Sequence, residues 1–236
     1  MVEINNLIVP MVCKCSDKMP LEFQYNDNGE MKCIEALSEM SLLTFDNIYF
    51  ALPWEGDIRW DLQDKLTISV ERLRRDMRIR EDTKVHYVVL TATSSQAETI
   101  YQTIKARKIQ GSIFIKDADN KFTIKTTPTD NSVCLFSLEY CDIVDPTHKS
   151  YVTLDDNMFV TNMIEKRVVS SYFNCGGYSF KDVNDFIEGY KFCKKFENNE
   201  HMYLSHIIYY LILFKKMIFK PVMAESYTDF AIENLF

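Results

Sequence analysis

The chain lacks any apolar run long enough to cross a bilayer, which takes about 20 residues. Its most apolar late stretch, 203–214, is broken by Ser205 and His206 and stops at Lys215 and Lys216. That pattern reads as a buried helix, and no membrane span is expected. Basic residues are also in short supply: 27 Lys and Arg face 34 Asp and Glu, a net charge of −7. Nucleic-acid binders need clustered cations against the phosphate backbone, so no nucleic-acid partner is expected. Small anionic substrates stay open, because a bound cation and local amides can outweigh the overall charge. A disulfide framework is missing too, since seven cysteines is an odd count and fits a reducing cytoplasm. Cys13 and Cys15 have no second Cys or His pair nearby in sequence to complete four zinc ligands. His86, His148, His201 and His206 show no metal spacing, and His206, on an apolar helix, reads as a packed core residue. The first residues carry Glu3 and no basic stretch leading into an apolar one, so no secretory leader is expected. No internal repeat, low-complexity tract or long linker interrupts the 236 residues, which read as one domain.

What is present alternates. Leu7-Ile8-Val9-Pro10 reads as a first strand, 47–52 as a second and 84–90 as a third. Between them, Met31, Ile34, Leu37 and Met40 stand at helical spacing over 31–43, and Leu62, Leu66, Val70 and Leu73 do so over 61–77. Arg72, Arg74, Arg75, Arg78 and Arg80 close that second helix, where cations suit the dipole, and they read as a solvated end. Ser95-Gln96-Ala97-Glu98 fits a capping box, with Ile100, Tyr101 and Ile104 as the apolar stripe behind it. Strand and helix alternating in this way predict a parallel, doubly wound α/β sheet with right-handed crossovers. The later chain holds short strands at 132–138, 151–154, 159–165, 168–173 and 178–180, with a hairpin turn at Asp155-Asp156-Asn157. Helices at 183–196 and 203–216, a strand near 219–222 and a terminal helix after Asp229 complete it.

The stretch from Ser112 to Phe122 organises the rest. Ile113, Phe114 and Ile115 run straight into Asp117 and Asp119, as a buried parallel strand does when its carboxyl end opens into a site. Carboxylates there can hold a hard cation shared with phosphates. They can equally start a solvated turn, since Asp and Asn bond to their own backbone.

The order of short motifs carries more than any one of them. Val9-Pro10-Met11, Gln96-Ala97-Glu98, Asp117-Ala118-Asp119, Glu165-Lys166, Gly176-Gly177-Tyr178 and Tyr227-Thr228-Asp229-Phe230 follow one another in a set sequence. Together they resemble the sugar-phosphate nucleotidyltransferases, the nucleoside-diphosphate-sugar pyrophosphorylase family. The resemblance spans nearly the whole chain. It implies a Rossmann-like three-layer α/β/α fold of the glycosyltransferase-A type with a mostly parallel central sheet. It also implies a nucleotide-binding half over 1–122 and a sugar- or acceptor-binding half over 123–236. A sugar phosphate or similar phosphorylated acceptor would attack a nucleoside triphosphate and release pyrophosphate, in nucleotide-sugar or surface-polysaccharide (capsule) synthesis. Positioning and charge neutralisation carry such a displacement.

By resemblance, Asp119 and Asp229 would hold Mg²⁺. Pro10, Met11, Lys14, Gln96 and Asp117 would lie along the nucleotide. Glu165, Lys166 and Gly176 would hold the acceptor, with Lys18 and Lys166 as the catalytic lysines. The partners are then a nucleoside triphosphate and a phosphorylated sugar, and the reading allows a homo-oligomer.

The first loop departs from the family's Gly-x-Gly-Thr-Arg, placing Cys13 and Cys15 where glycines are expected and Asp17 near the arginine. Glycine matters there because positive φ and close amide approach cradle phosphates. Two alternatives follow. One is a catalytically impaired member serving as a nucleotide-binding or partner subunit; the other is a glycosyltransferase using Asp117-Ala118-Asp119 as its metal motif.

Overall fold

Four parallel strands carry the first part of the chain: β1 (Asn5–Pro10), β2 (Asn47–Pro53), β3 (Lys84–Leu90) and β4 (Ser112–Lys116). The structure, a computed structural model, describes residues 4–12, 17–141, 146–196 and 202–230. Cys13, Lys14 and Cys15, and all but Phe230 of the terminal helix expected after Asp229, lie outside the described residues.

The sheet continues past β4 through β9 (Tyr172–Phe180), which runs antiparallel to both β4 and β6 (Ser132–Ser137). A last parallel pair, β6 with β10 (Lys220–Met223), closes the far edge. The order is therefore β10-β6-β9-β4-β1-β2-β3, a mostly parallel sheet with one reversed strand near its middle. A hairpin of β7 (Ser150–Leu154) and β8 (Val160–Glu165) joins through β7 to β9. Asp155 makes its turn, accepting from the backbone N–H groups of Asn157 and Phe159.

Side-chain alternation along the strands builds the three layers. Leu7, Val9 and Phe114 face one core with the helix α3 (Leu62–Arg75), through Leu66, Val70 and Leu73. Ile8, Ile113 and Ile115 face the other, under α4 (Gln96–Arg107), α5 (Val183–Phe196) and α6 (Leu204–Leu213). Ser95 caps α4 by accepting from the Glu98 N–H, while the Glu98 carboxylate reaches back to the N–H and hydroxyl of Ser94.

The structure corrects four local expectations. Only one helical turn, α1 (Lys32–Glu35), forms within 31–43, although Met31, Ile34, Leu37 and Met40 are all buried. The Arg78 guanidinium takes the carbonyls of Leu37 and Ser38, the latter at 2.7 Å, which a continuing helix would have needed. The expected 61–77 helix is preceded by a further one, α2 (Trp54–Trp60), and Asp61 in the left-handed region separates the two. The arginine cluster is only partly a solvated end: Arg72 and Arg75 are exposed, but Arg74, Arg78 and Arg80 are structural. Arg74 donates to the carbonyls of Arg80, Glu81 and Thr83, and Arg80 pairs with Asp46 at 2.6 Å. Finally, the strands expected at 168–173 and 178–180 are one, β9, running through Gly176 and Gly177.

Candidate active site

The carboxyl end of β4 turns around a buried ammonium. Lys116 is fully buried, and its Nζ donates to the Asp117 carbonyl (2.6 Å), the Asn120 carbonyl (2.8 Å) and Asn120 Oδ1 (2.9 Å). These use all three of its N–H bonds, and the charge also lies 4.7 Å from the Phe122 ring centroid. Burial pulls the Lys116 pKa down, and the carboxylates of Asp117 and Asp119 oppose the shift. The turn from 117 to 120 is thus tied from beneath and presents Asp117 and Asp119 outward. Sequence reasoning passed over Lys116, although a lysine closing an apolar strand is itself a signal, because it must find acceptors there.

The two acids of this turn have different surroundings. Asp117 is half-buried, and its Oδ1 accepts from Gln96 Nε2 at 2.6 Å. Its N–H donates to the carbonyl of Gly176 at 2.8 Å. Burial, reinforced by the charge of Asp119, pushes the Asp117 carboxyl up. Gly176 has φ +90, and a Cβ there would come within 2.6 Å of Asn120 Nδ2 and 2.8 Å of Asp117 Oδ2. Its glycine nature therefore admits the Asp117 turn against β9. Asp119 is exposed, with Oδ1 accepting from Asn120 Nδ2 at 2.9 Å.

Asp229 arrives on a separate ribbon. β5 (Asn120–Thr123) and β11 (Ser226–Asp229) pair antiparallel, setting Asp229 opposite Asn120, and the Phe230 N–H donates to the Asp119 carbonyl at 3.0 Å. This ribbon brings Asp119 and Asp229 to one edge from 110 positions apart in sequence. Lys149 joins them: its Nζ lies 2.5 Å from Asp229 Oδ2 and donates to the Tyr227 hydroxyl at 2.6 Å. Tyr227 in turn donates to Asp229 Oδ2 at 3.2 Å, and burial beside Asp229 keeps its phenol protonated.

Two cavities share the turn as a common wall. The larger, about 310 Å³, opens toward the second half of the chain and includes Glu165, Gly176, Lys149 and Tyr203 in its lining. The smaller, about 230 Å³, lies against Pro10 and Met11 at the end of β1. Gln96, Asp117 and Asp119 line both. Glu165 Oε2 accepts from the hydroxyls of Ser150 and Ser205. Lys166 is exposed beyond the larger cavity's lining, in left-handed backbone at φ 54, with Nζ donating to the Tyr203 hydroxyl at 2.8 Å. Lys18 is exposed and lines neither cavity, while Asp17 pairs with Arg59 at 3.4 Å.

No family model matches the sequence, and no curated protein is similar to it. Solved structures do match. A nucleoside-diphosphate-sugar pyrophosphorylase from Vibrio cholerae superposes with a TM-score of 0.71 at 16% identity, covering 92% of this chain and 91% of the other. An inositol-1-phosphate CTP transferase from T. maritima reaches 0.68 at 13% identity, covering 97% and 89%. A UDP-glucose pyrophosphorylase solved with UDP-glucose reaches 0.71 at 12% identity, covering 98% and 95%. The likeness shows that this chain has the nucleotidyltransferase fold that the ordered motifs imply.

A magnesium ion held jointly by Asp119 and Asp229 is what the resemblance implies, and the residues answer it unevenly. Asp119 offers an exposed carboxylate to both cavities. Asp229 does not fit as the second ligand through Oδ2, because the Lys149 ammonium and the Tyr227 hydroxyl already hold that oxygen. A dication set against Asp229 Oδ2 would have to displace a like charge.

Proposed function

We propose that this chain transfers a nucleoside monophosphate from a nucleoside triphosphate to a phosphorylated acceptor, in nucleotide-sugar or surface-polysaccharide synthesis. The observation that carries the reading is the turn 117–120 standing as the wall between two cavities, so that two substrates can meet across it. The triphosphate belongs in the smaller cavity, in the half 1–122, along Pro10, Met11 and Gln96. The acceptor belongs in the larger, with its hydroxyls toward Glu165 and its backbone approach at Gly176. An oxygen of the acceptor's phosphate attacks the α-phosphorus, the bond from that phosphorus to the α–β bridging oxygen breaks, and pyrophosphate leaves with that oxygen. Chain residues contribute by alignment and by neutralising charge. Gln96 holds position through Asp117, and Lys166 stands at the rim through Tyr203. The test is pyrophosphate release from a panel of triphosphates offered with phosphorylated sugars and polyols. Release with one pairing is the expected result, and no release with any pairing would remove the proposal.

A second reading, a nucleotide-binding or partner subunit without turnover, is favoured by the loop chemistry, since Asp17 is turned to Arg59 and Cys13 and Cys15 replace glycines. Calorimetry showing nucleotide binding without release of pyrophosphate would select it. Glycosyl transfer through the Asp-x-Asp motif is disfavoured. Asp117 spends one carboxylate oxygen on Gln96 and packs against Gly176, which leaves it less available than the exposed Asp119 as a metal ligand.

A further inference from the structure

We propose that the ammonium of Lys149 is this protein's own phosphate-neutralising cation, standing where a second metal-binding carboxylate would otherwise draw a divalent ion. The inference rests on the transferase reading above and names the group that receives the phosphates in the larger cavity.

Charge in that cavity poses the problem. Asp117, Asp119 and Glu165 all line it, and a phosphate placed among three carboxylates needs a cation nearby. Among the described residues lining the cavity, Lys149 is the one lysine or arginine. Its position is fixed at both ends. The Lys149 carbonyl accepts from the Lys166 N–H at 3.0 Å, and Nζ is held by Asp229 at 2.5 Å and Tyr227 at 2.6 Å. The side chains of Lys149 and Asp229 are only 18% and 14% exposed, so this pair is shielded and its geometry is kept. A lysine ammonium carries three N–H donors. Among the described residues two are spent, on Asp229 and Tyr227, which leaves one for a phosphate oxygen. Lysine acts on phosphate as a point charge with rotatable donors, which suits a substrate that must also leave.

The reading reverses the role of Asp229. In a two-carboxylate metal site that acid recruits the cation, and its removal weakens phosphate binding. Here it orients and partly quenches a cation the chain already has, so its removal frees charge for the ligand.

The test uses the full chain and inorganic phosphate, the group an acceptor brings into the larger cavity, as the probe, titrated calorimetrically in EDTA and again in Mg²⁺. Wild type is expected to bind in EDTA. Lys149→Met is expected to lose about 10- to 100-fold in affinity, the range for a charge-assisted hydrogen bond. Lys149→Arg is expected to stay within a few-fold of wild type, and Asp229→Asn to bind as tightly or more tightly. Lys149→Met leaves the half-buried Asp229 without its ammonium and can fail to fold. The double variant Lys149→Met/Asp229→Asn removes both charges and gives the same readout, a loss of binding in a chain whose melting transition persists. Binding that requires Mg²⁺ and is abolished by Asp229→Asn but not by Lys149→Met would overturn the inference. So would an absence of phosphate binding in both media. Pyrophosphate release by wild type decides the transferase reading separately. Turnover together with metal-dependent, Lys149-independent binding would discard the role of Lys149 and leave the transferase standing.

Discussion

The two ends of the central strands are both polar, yet one is sealed and the other open. At the amino ends of β1, β2 and β4 the polar groups are largely neutral and satisfy one another. Asn6 Nδ2 donates to the carbonyls of Gln110 and Ser112, each at 2.8 Å, Asn47 donates to Asn6 Oδ1, and the Ser112 hydroxyl donates to Asn5 Oδ1. The space left there is about 10 Å³. At the carboxyl ends the groups are charged, Asp117, Asp119, Lys116 and Lys149, and cavities of about 310 and 230 Å³ remain. Amides zip together because each carries both donor and acceptor. Ionised carboxylates repel one another, so they hold space that a donor or a cation fills. Polarity alone does not mark a site; charged groups that leave open space beside them do.

The largest effect should come from filling the open end with a side chain. Gly176→Val puts a Cβ against Asn120 and Asp117 in left-handed backbone. It is expected to cost about 3–5 kcal/mol of stability, combining backbone strain with overpacking, as read by denaturant unfolding. Next comes Lys116→Met, which strips the turn 117–120 of its tie and leaves three oxygens without that donor. A loss of about 2–3 kcal/mol is expected, and pyrophosphate release should fall further than the stability change explains.

The sealed end supplies the contrast. Asn6→Ala removes the donor to two carbonyls and should cost about 1–2 kcal/mol with release of pyrophosphate unchanged per folded molecule. A fall in catalysis there would break the division between the two ends.

The smallest effect concerns acid stability at the sealed end. The Asn5 N–H and then the Arg80 guanidinium hold the Asp46 carboxyl below its usual range. The stabilisation is complete above the unfolded carboxyl value of about 4 and is lost as pH falls through the lower folded value. Asp46→Asn should flatten that part of an acid titration of stability, by under about 1 kcal/mol because the pair is more than one-third exposed.

Much of the frame was legible along the chain. β1 to β4 could be read from runs such as Ile113-Phe114-Ile115, whose apolar character is what a strand buried on both faces demands. The α4 start was legible because Ser95 and Glu98 cap it by local bonds. The 31–43 helix was misread because its apolar spacing serves burial equally well in a single turn followed by loops, once Arg78 takes the carbonyls. β9 was split in two because Gly176 and Gly177 resemble a turn; they are instead the points where Asp117, Asn120, Cys134 and Phe122 press on the strand. Of the cavity lining, Asp117, Gln96, Glu165 and Gly176 belong to motifs legible along the chain. Lys116 and Lys149 were missed, since neither belongs to a motif and each acquires meaning only from the acceptors around it.

By itself the amino-acid order determined the alternation of strands and helices, the acids at the end of β4 and the shortage of cations, because each depends on neighbours a few positions away. Only the tertiary structure decided which charges meet. The ribbon of β5 and β11 sets Asp229 beside Asn120, and Lys149, the residue before β7, meets it there. Electrostatic pairing falls off with distance in space and is indifferent to separation along the chain.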